Sequence, residues 1–174
     1  MKRILTIILV ITLIFSGCNI IGKNENEELS EFTNAEITLY FGDSQAMYVV
    51  PEKRTISFEK NLSKEQFIDL VLQELVKGPQ NENLYPTIPN ETKILNIEIE
   101  KDTLYVDFSK EMHTTHWGGA AGENMTLLSL ANTTTEIEGI SKVLPSVEGN
   151  ALNIEHVVVT EPLLRDEDGI GKQE

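Results

Sequence analysis

The strongest structural signal in the sequence is a helix that follows Ser63, and it limits the fold more than any other feature. Ser63 and Gln66, three residues later, form the pattern of a capping box. Apolar residues then recur at helical spacing until Gly78 and Pro79 end the pattern. The apolar stripe consists of Ile68, Val71, Leu72 and Leu75. We interpret this stripe as core packing rather than as a cofactor site.

Alternating apolar residues predict strands on both sides of this helix. Residues 36–41, EITLYF, alternate with a period of two, and residues 47–58 continue as a strand region. Pro51 in that region cannot donate to a ladder, so it belongs at an edge or a bulge. Residues 94–109, ILNIEIEKDTLYVDFS, are predicted to form a hairpin. Its predicted inward-facing residues are Leu95, Ile97, Ile99, Leu104, Val106 and Phe108.

A second helix and further strands complete the pattern. Residues 123–139, ENMTLLSLANTTTEIEG, predict a helix that ends at a glycine. Residues 142–149 predict a strand with Pro145 at an edge or a bulge, and residues 152–164 a last extended segment. The predicted apolar face of the helix consists of Leu127, Leu130, Ala131 and Ile137. This order favours an α+β fold, a two-layer sandwich in which two helices cover one face of a mostly antiparallel or mixed sheet.

The N-terminus has the features of a lipoprotein signal peptide over residues 1–17. Two basic residues precede the apolar run 4–15, which is shorter than the roughly 20 residues of a membrane-spanning helix. The following FSGC, residues 15–18, is similar to the lipobox of bacterial lipoproteins, although Phe15 stands where that family usually has Leu. This resemblance implies that Cys18 is lipidated and becomes the new N-terminus. An ordinary secreted protein with an unpaired cysteine is the alternative.

The charge of the chain argues against nucleic acid as a partner. The sequence has 14 basic and 28 acidic residues, a net charge of −14. Cleavage before Cys18 would remove Lys2 and Arg3 but no acidic residue, so the mature chain would carry −16. Phosphates and anionic headgroups repel such a surface. We therefore expect attachment through lipid on Cys18, at the outer, extracytoplasmic face of the bacterial cytoplasmic membrane.

The domain organisation follows from composition. Residues 18–34 are polar and acidic and predict a flexible tether. Residues 35–165 hold the predicted strands and helices of one domain, and residues 166–174 predict a disordered acidic tail. The folded domain would thus lie close to the membrane.

Three stretches of this domain resemble the GerMN domain of sporulation and spore-germination lipoproteins and other exported bacterial proteins. They are LVKGPQNENLYPTIPNETKIL, LYVDFSKEM and GGAAGENMTLLSLANTTTEIEGISKVLPSVEG. The resemblance implies an α/β domain similar in plan to the ring-building modules of envelope secretion complexes, without known enzymatic activity and without a cofactor. The family's sporulation proteins carry two copies in tandem, whereas this sequence has room for one.

The stretch HTTHWGGAAGE, residues 113–123, could be a metal site or a corner of the fold. His113 and His116 could share a cation with Glu111 or Glu123. Catalytic zinc needs three protein ligands in a closed geometry, however, and the HExxH motif is missing. His156 is some 40 residues away on a predicted strand. We therefore predict no metal site.

The glycines of the same stretch raise the alternative of a phosphate site at a helix N-terminus. The pattern is neither G-x-G-x-x-G nor a P-loop, and Glu123 in the predicted first turn already supplies negative charge. We interpret these glycines as a sharp turn between strand and helix. No serine lies in a G-x-S-x-G motif either, so the sequence predicts no enzyme.

The function expected from these observations is a non-catalytic interaction module that contacts other envelope proteins. His113, His116 and Trp117 are its candidate contact surface. The alternative is a lipoprotein that binds a cell-wall fragment or a small germinant between loop 79–93 and this corner, where Trp117 could stack on the ligand. A metal-dependent enzyme is the third alternative.

Overall fold

The computed structural model of the protein describes residues 31–172. The predicted signal peptide, Cys18 and most of the predicted tether lie outside this range, as do the last two residues of the chain. The strands are β1 (Phe32–Gly42), β2 (Val49–Glu59), β3 (Ile94–Glu100), β4 (Thr103–Phe108), β5 (Lys142–Val147), β6 (Asn150–Ile154), β7 (Val157–Val159) and β8 (Leu163–Leu164). The helices are α1 (Lys64–Val76), α2 (Glu111–Thr114) and α3 (Gly119–Thr135). Within the described range, no helix is both long and apolar enough to cross a membrane.

The strands form two sheets. β1 and β2 pair antiparallel along their full length as a two-stranded sheet. The larger sheet has the order β3-β4-β5-β6-β7, with β8 also paired to β5. β4 and β5 run parallel because α2 and α3 form the crossover between them, and the other pairs are antiparallel. The predicted α+β class with a mixed sheet is confirmed, and the first hairpin forms a separate sheet.

Helix α1 has the predicted start, face and end. The Ser63 hydroxyl accepts from the Gln66 backbone N–H at 3.2 Å, and the Gln66 side-chain oxygen accepts from the Ser63 N–H at 2.8 Å. All four residues of the predicted apolar stripe are buried. The chain leaves the helix through Gly78, whose φ of +86° is in the left-handed region.

Helix α3 differs from its prediction in length and in burial. It begins at Gly119 and ends at Thr135, before Ile137. Polar residues on it are buried beside β1: the Ser129 hydroxyl donates to the Tyr40 carbonyl at 2.6 Å, and the Thr133 hydroxyl accepts from the Tyr40 N–H at 3.0 Å. These side chains satisfy the outer edge of β1, which explains why a helix in contact with both sheets buries polar residues.

Two details of the sheet differ from the prediction. Leu95 is 51% exposed because the register shifts between Ile94 and Asn96, so Ile94 packs against the core instead. β5 is not an edge strand. On one side of β5, Pro145 pairs with Val106 in β4. On the other side, the start of β5 pairs with β8 and its end pairs with β6, and Pro145 lies between these two pairings. A proline is tolerated there because that interval lacks a regular ladder.

The domain extends beyond its predicted boundaries at both ends. β1 begins at Phe32, inside the predicted tether. Residues 166–172 are ordered rather than forming a disordered tail. The Asn132 amide exchanges two hydrogen bonds with the Asp166 backbone at 2.9 and 3.1 Å, and the Val49 backbone bonds with Gly169 and Gly171. Long-range backbone pairing holds this acidic segment, and composition does not reveal such pairing.

Candidate functional site

The stretch 113–123 turns the chain sharply from α2 into α3. His113 is exposed on the single turn of α2, and Trp117 is 44% exposed at the corner. Gly118 has a φ of +93°. A Cβ on Gly122 would lie 2.3 Å from the carbonyl oxygen of Trp117, a separation that no side chain could adopt. The glycines therefore make the turn possible, as the sequence indicates.

His116 connects this corner to loop 79–93. Its ring stacks on Trp117 with centroids 5.9 Å apart, and its Nε2 lies 2.8 Å from the Thr126 hydroxyl oxygen. That hydroxyl donates to the Thr87 carbonyl at 2.5 Å, so its only proton is used. His116 Nε2 must then carry a proton and donate to Thr126. Burial lowers the pKa of His116, which favours the neutral ring.

Trp117 lines two clefts. The smaller, of about 190 Å³, is lined by Trp117 together with Tyr85, Asp43 and Ser44. The larger, of about 530 Å³, lies between Trp117 and residues of loop 79–93. The predicted cleft between that loop and the corner is therefore present, and its ligand stays a prediction.

A buried ion-pair network anchors the start of loop 79–93. The Arg54 guanidinium donates to Glu52 Oε1 at 2.5 Å and to Glu74 Oε2 at 2.7 Å. The other oxygen of Glu52 accepts from the backbone N–H groups of Gln80 and Asn81 at 2.9 and 2.8 Å. Burial alone would raise the pKa of Glu74, but hydrogen bonds from Lys77 and Arg54 outweigh burial and hold that pKa below its usual value. Sequence reasoning missed this network, because strand periodicity does not identify partners in a distant loop.

Glu123 does not lie in the first turn of α3, so the prediction that it blocks anions at the helix start was wrong. The helix begins four residues earlier than predicted, which places Glu123 in the second turn. Its side chain has no exposed surface, and Oε1 accepts from the His156 ring Nδ1 at 2.9 Å and the His156 backbone N–H at 3.1 Å.

The Glu123–His156 contact shifts the pKa of both groups toward the charged pair. Burial acts to raise the pKa of Glu123, but the hydrogen bonds from His156 outweigh it and lower that pKa. The hydrogen bond and charge of Glu123 raise the pKa of His156. A carboxylate and an imidazolium stabilise one another in this arrangement.

His156 reaches Glu123 because residues 155–156 form a turn and not a continuous strand. Ile154 pairs with Val157, which leaves Glu155 and His156 as the two-residue loop between β6 and β7. The polar Glu-His pair between the apolar residues of 152–154 and 157–159 was the sequence signal for a break in the strand. Glu123, Glu155 and His156 each offer a ligand atom within 4.8 Å of the others. His113 and His116 are not part of this group.

A family model described as sporulation and spore germination, Germane, matches residues 38–153, more than half of the chain. The fold is similar to the tandem GerMN domains of the sporulation protein GerM from Bacillus subtilis, with a TM-score of 0.60 and 20% identity over 76% of this chain and 46% of that chain. This chain thus spans about half the length of the tandem protein.

Two further solved structures are similar. The first GerMN domain of GerM from Bacillus subtilis aligns with a TM-score of 0.54 and 19% identity over 77% of this chain and 98% of that domain. A candidate lipoprotein from Clostridium perfringens aligns with a TM-score of 0.53 and 25% identity over 75% of this chain and 87% of that chain. No protein with a curated description matches the sequence. The extent of the family match shows that this chain belongs to the Germane family of sporulation and spore germination proteins.

Proposed function

We propose that the protein is a lipoprotein anchored through Cys18 outside the cytoplasmic membrane, where its GerMN domain binds other envelope proteins without catalysing a reaction. Two observations support the anchor: the FSGC sequence around the predicted cleavage site and the similarity to a candidate lipoprotein. The family match supports a role in an assembly of sporulation or germination. The observation that carries the proposal is the exposed aromatic pair Trp117 and Tyr85 on one cleft.

This pair has the properties of an interface anchor. Trp117 is 44% exposed and Tyr85 is 55% exposed. Both are held in place, Trp117 by the stacked His116 ring and Tyr85 by two backbone hydrogen bonds with Gly42 at 2.9 and 3.0 Å. Rigid Trp and Tyr side chains lose little entropy on binding, and they are enriched among residues that dominate interface energies. We name the surface formed by Trp117, Tyr85 and His116 the aromatic corner.

The hydrogen bonds around the aromatic corner support recognition rather than catalysis. His116, the ring closest to Trp117, donates to the Thr126 hydroxyl. Its lowered pKa and its fixed partner suit a positioning role better than proton transfer during a reaction.

A second candidate function is the binding of a cell-wall fragment or small germinant in the smaller cleft. The specific observation is that Trp117 and Tyr85 line this cleft beside the polar residues Asp43 and Ser44. Aromatic faces with adjacent polar groups suit a sugar ring or another flat ligand.

Photo-crosslinking in membranes separates the two candidates. A photoreactive amino acid replaces Trp117 in the full chain, and the control carries it at Glu98, an exposed residue of β3. The interaction module predicts protein adducts from position 117 and few from position 98. If position 117 gives no protein adduct while muropeptides raise the melting temperature of the purified chain, the ligand-binding function replaces the interaction module as our conclusion.

The anchor is tested separately through Cys18. The wild-type chain should incorporate labelled palmitate and remain in the membrane fraction, whereas Cys18→Ala should lose both properties. Equal membrane retention of the two chains would show that Cys18 does not anchor the protein.

A further inference from the structure

The contact between α3 and the β6–β7 turn contains the elements of a cation site. His156 Nδ1 lies 2.9 Å from Glu123 Oε1 and 3.8 Å from Glu155 Oε2. The ligand atoms of the three side chains lie within 4.8 Å of one another. Two ligand atoms that each lie about 2.0–2.2 Å from one tetrahedral Zn²⁺ are about 3.3–3.6 Å from each other. This separation lies between the distances from His156 Nδ1 to the two carboxylate oxygens.

An unpaired buried oxygen independently indicates a missing partner. Glu123 has no exposed side-chain surface, and its Oε2 has no hydrogen-bond partner among residues 31–172. Both hydrogen bonds to this carboxylate are made at Oε1. Buried polar atoms in folded proteins almost always have a partner, because losing hydration without replacement costs free energy. A cation on the Glu123 carboxylate would provide that partner.

The location of the other two ligands makes the site accessible. The side chains of Glu155 and His156 are 55% and 63% exposed. Two of the three ligands are therefore open to solvent, and the third lies directly beneath them, 2.9 Å from His156 Nδ1.

We propose that Glu123, Glu155 and His156 bind one divalent transition cation, with Zn²⁺ as the best match. One imidazole nitrogen and two carboxylate oxygens form a ligand set that suits Zn²⁺, whereas Mg²⁺ and Ca²⁺ prefer oxygen ligands alone. Three protein ligands leave a fourth position for water. The cation replaces the proton on His156 Nδ1, which leaves to solvent, and it binds the Glu123 carboxylate at Oε2, while Oε1 keeps its hydrogen bond from the His156 backbone N–H. The bound cation ties the β6–β7 turn to the second turn of α3.

The test is Zn²⁺ titration of the full chain, purified in detergent without a histidine tag and followed by calorimetry. The wild-type chain should bind one Zn²⁺, and Glu155→Gln should bind it at least tenfold more weakly, because even outer-shell partners of metal ligands contribute about 10–100-fold. Glu155 is exposed, so this variant should fold normally. Glu148→Gln is the matched control, because Glu148 is also an exposed turn acid at positive φ, in the neighbouring β5–β6 turn.

A second pair of variants distinguishes this site from a site at His113. His156→Gln should also lose Zn²⁺ affinity, while His113→Gln should keep it, because His113 is not part of the group. Thermal melts with and without ZnCl₂ should show a rise in melting temperature for wild type, Glu148→Gln and His113→Gln only. The proposal is overturned if wild type binds no Zn²⁺, if Glu155→Gln binds it as tightly as wild type, or if His113→Gln abolishes binding.

Discussion

Replacing Arg54 by Met should destabilise the domain strongly, because it leaves the carboxylates of Glu52 and Glu74 without their shared cation. The Arg54 side chain is 5% exposed, and the Glu52 and Glu74 side chains are 11% and 19% exposed. Removing one partner of a buried ion pair costs about 3–5 kcal/mol. Each kcal/mol lowers the melting temperature of a domain of about 150 residues by about 2–4 °C, so we expect a loss of about 6–20 °C. Urea and thermal unfolding of the full chain measure both quantities.

The neighbouring Lys53 provides a matched control. Its ammonium pairs with Glu36 at 2.7 Å, but both side chains are well exposed, so Lys53→Met should unfold within error of wild type. A double-mutant cycle between Arg54→Met and Glu74→Gln should be strongly non-additive, since the two side chains share one hydrogen bond. If Arg54→Met loses no more stability than Lys53→Met, the network does not stabilise the fold and our reasoning about it is refuted.

Three further predictions concern the helices and acid stability. Ser63→Ala should lose about 1 kcal/mol of unfolding free energy in urea melts, because the capping box disappears, and an unchanged midpoint would contradict this. Gly122→Ala should destabilise the domain although alanine favours helices, because its Cβ would meet the Trp117 carbonyl; greater stability in thermal melts would show that the corner can relax. The folded pKa of Glu74 is below its ordinary value, so its stabilisation is complete above the ordinary pKa and is lost as pH falls through the folded value. Wild type should therefore lose more stability in acid than Glu74→Gln does, and parallel pH profiles would contradict this assignment.

Local signals in the sequence predicted the elements that depend on local physics. The capping box, apolar stripe and terminal glycine of α1 lie within 16 residues of chain, and all three are present in the structure. The extended start of α3 was missed because glycine has poor helix propensity, and packing against two sheets overrides that propensity.

The candidate site shows the same division between local and distant contacts. Sequence spacing placed His116 and Trp117 together at a glycine corner, which the structure contains. Spacing could not place His156 beside Glu123, because that contact depends on the β6–β7 turn and on the crossover that carries α3 over the sheet. The polar Glu-His pair between two apolar segments was the available signal for part of this contact.

The link between the Arg54 network and function is the position of loop 79–93. Glu52 holds the backbone at the start of this loop, and the loop forms one wall of the larger cleft beside Trp117. Loosening that wall should weaken binding at the aromatic corner even though Arg54 is not part of that surface. Partner binding and stability of the Glu52→Gln variant should be measured in parallel. These measurements would show whether the loss of stability is accompanied by weaker binding at the aromatic corner.

The most direct test of the account is quantitative recovery of crosslinked partners by the full chain in membranes, compared between wild type and Trp117→Ala. Trp117 is exposed, so this variant should keep the fold, which a thermal melt of the same protein checks. If the aromatic corner is the contact surface, the variant should lose about 2 kcal/mol of binding free energy, about a 30-fold loss of affinity. Recovery of the same partners at wild-type levels by a folded Trp117→Ala chain would contradict the central claim.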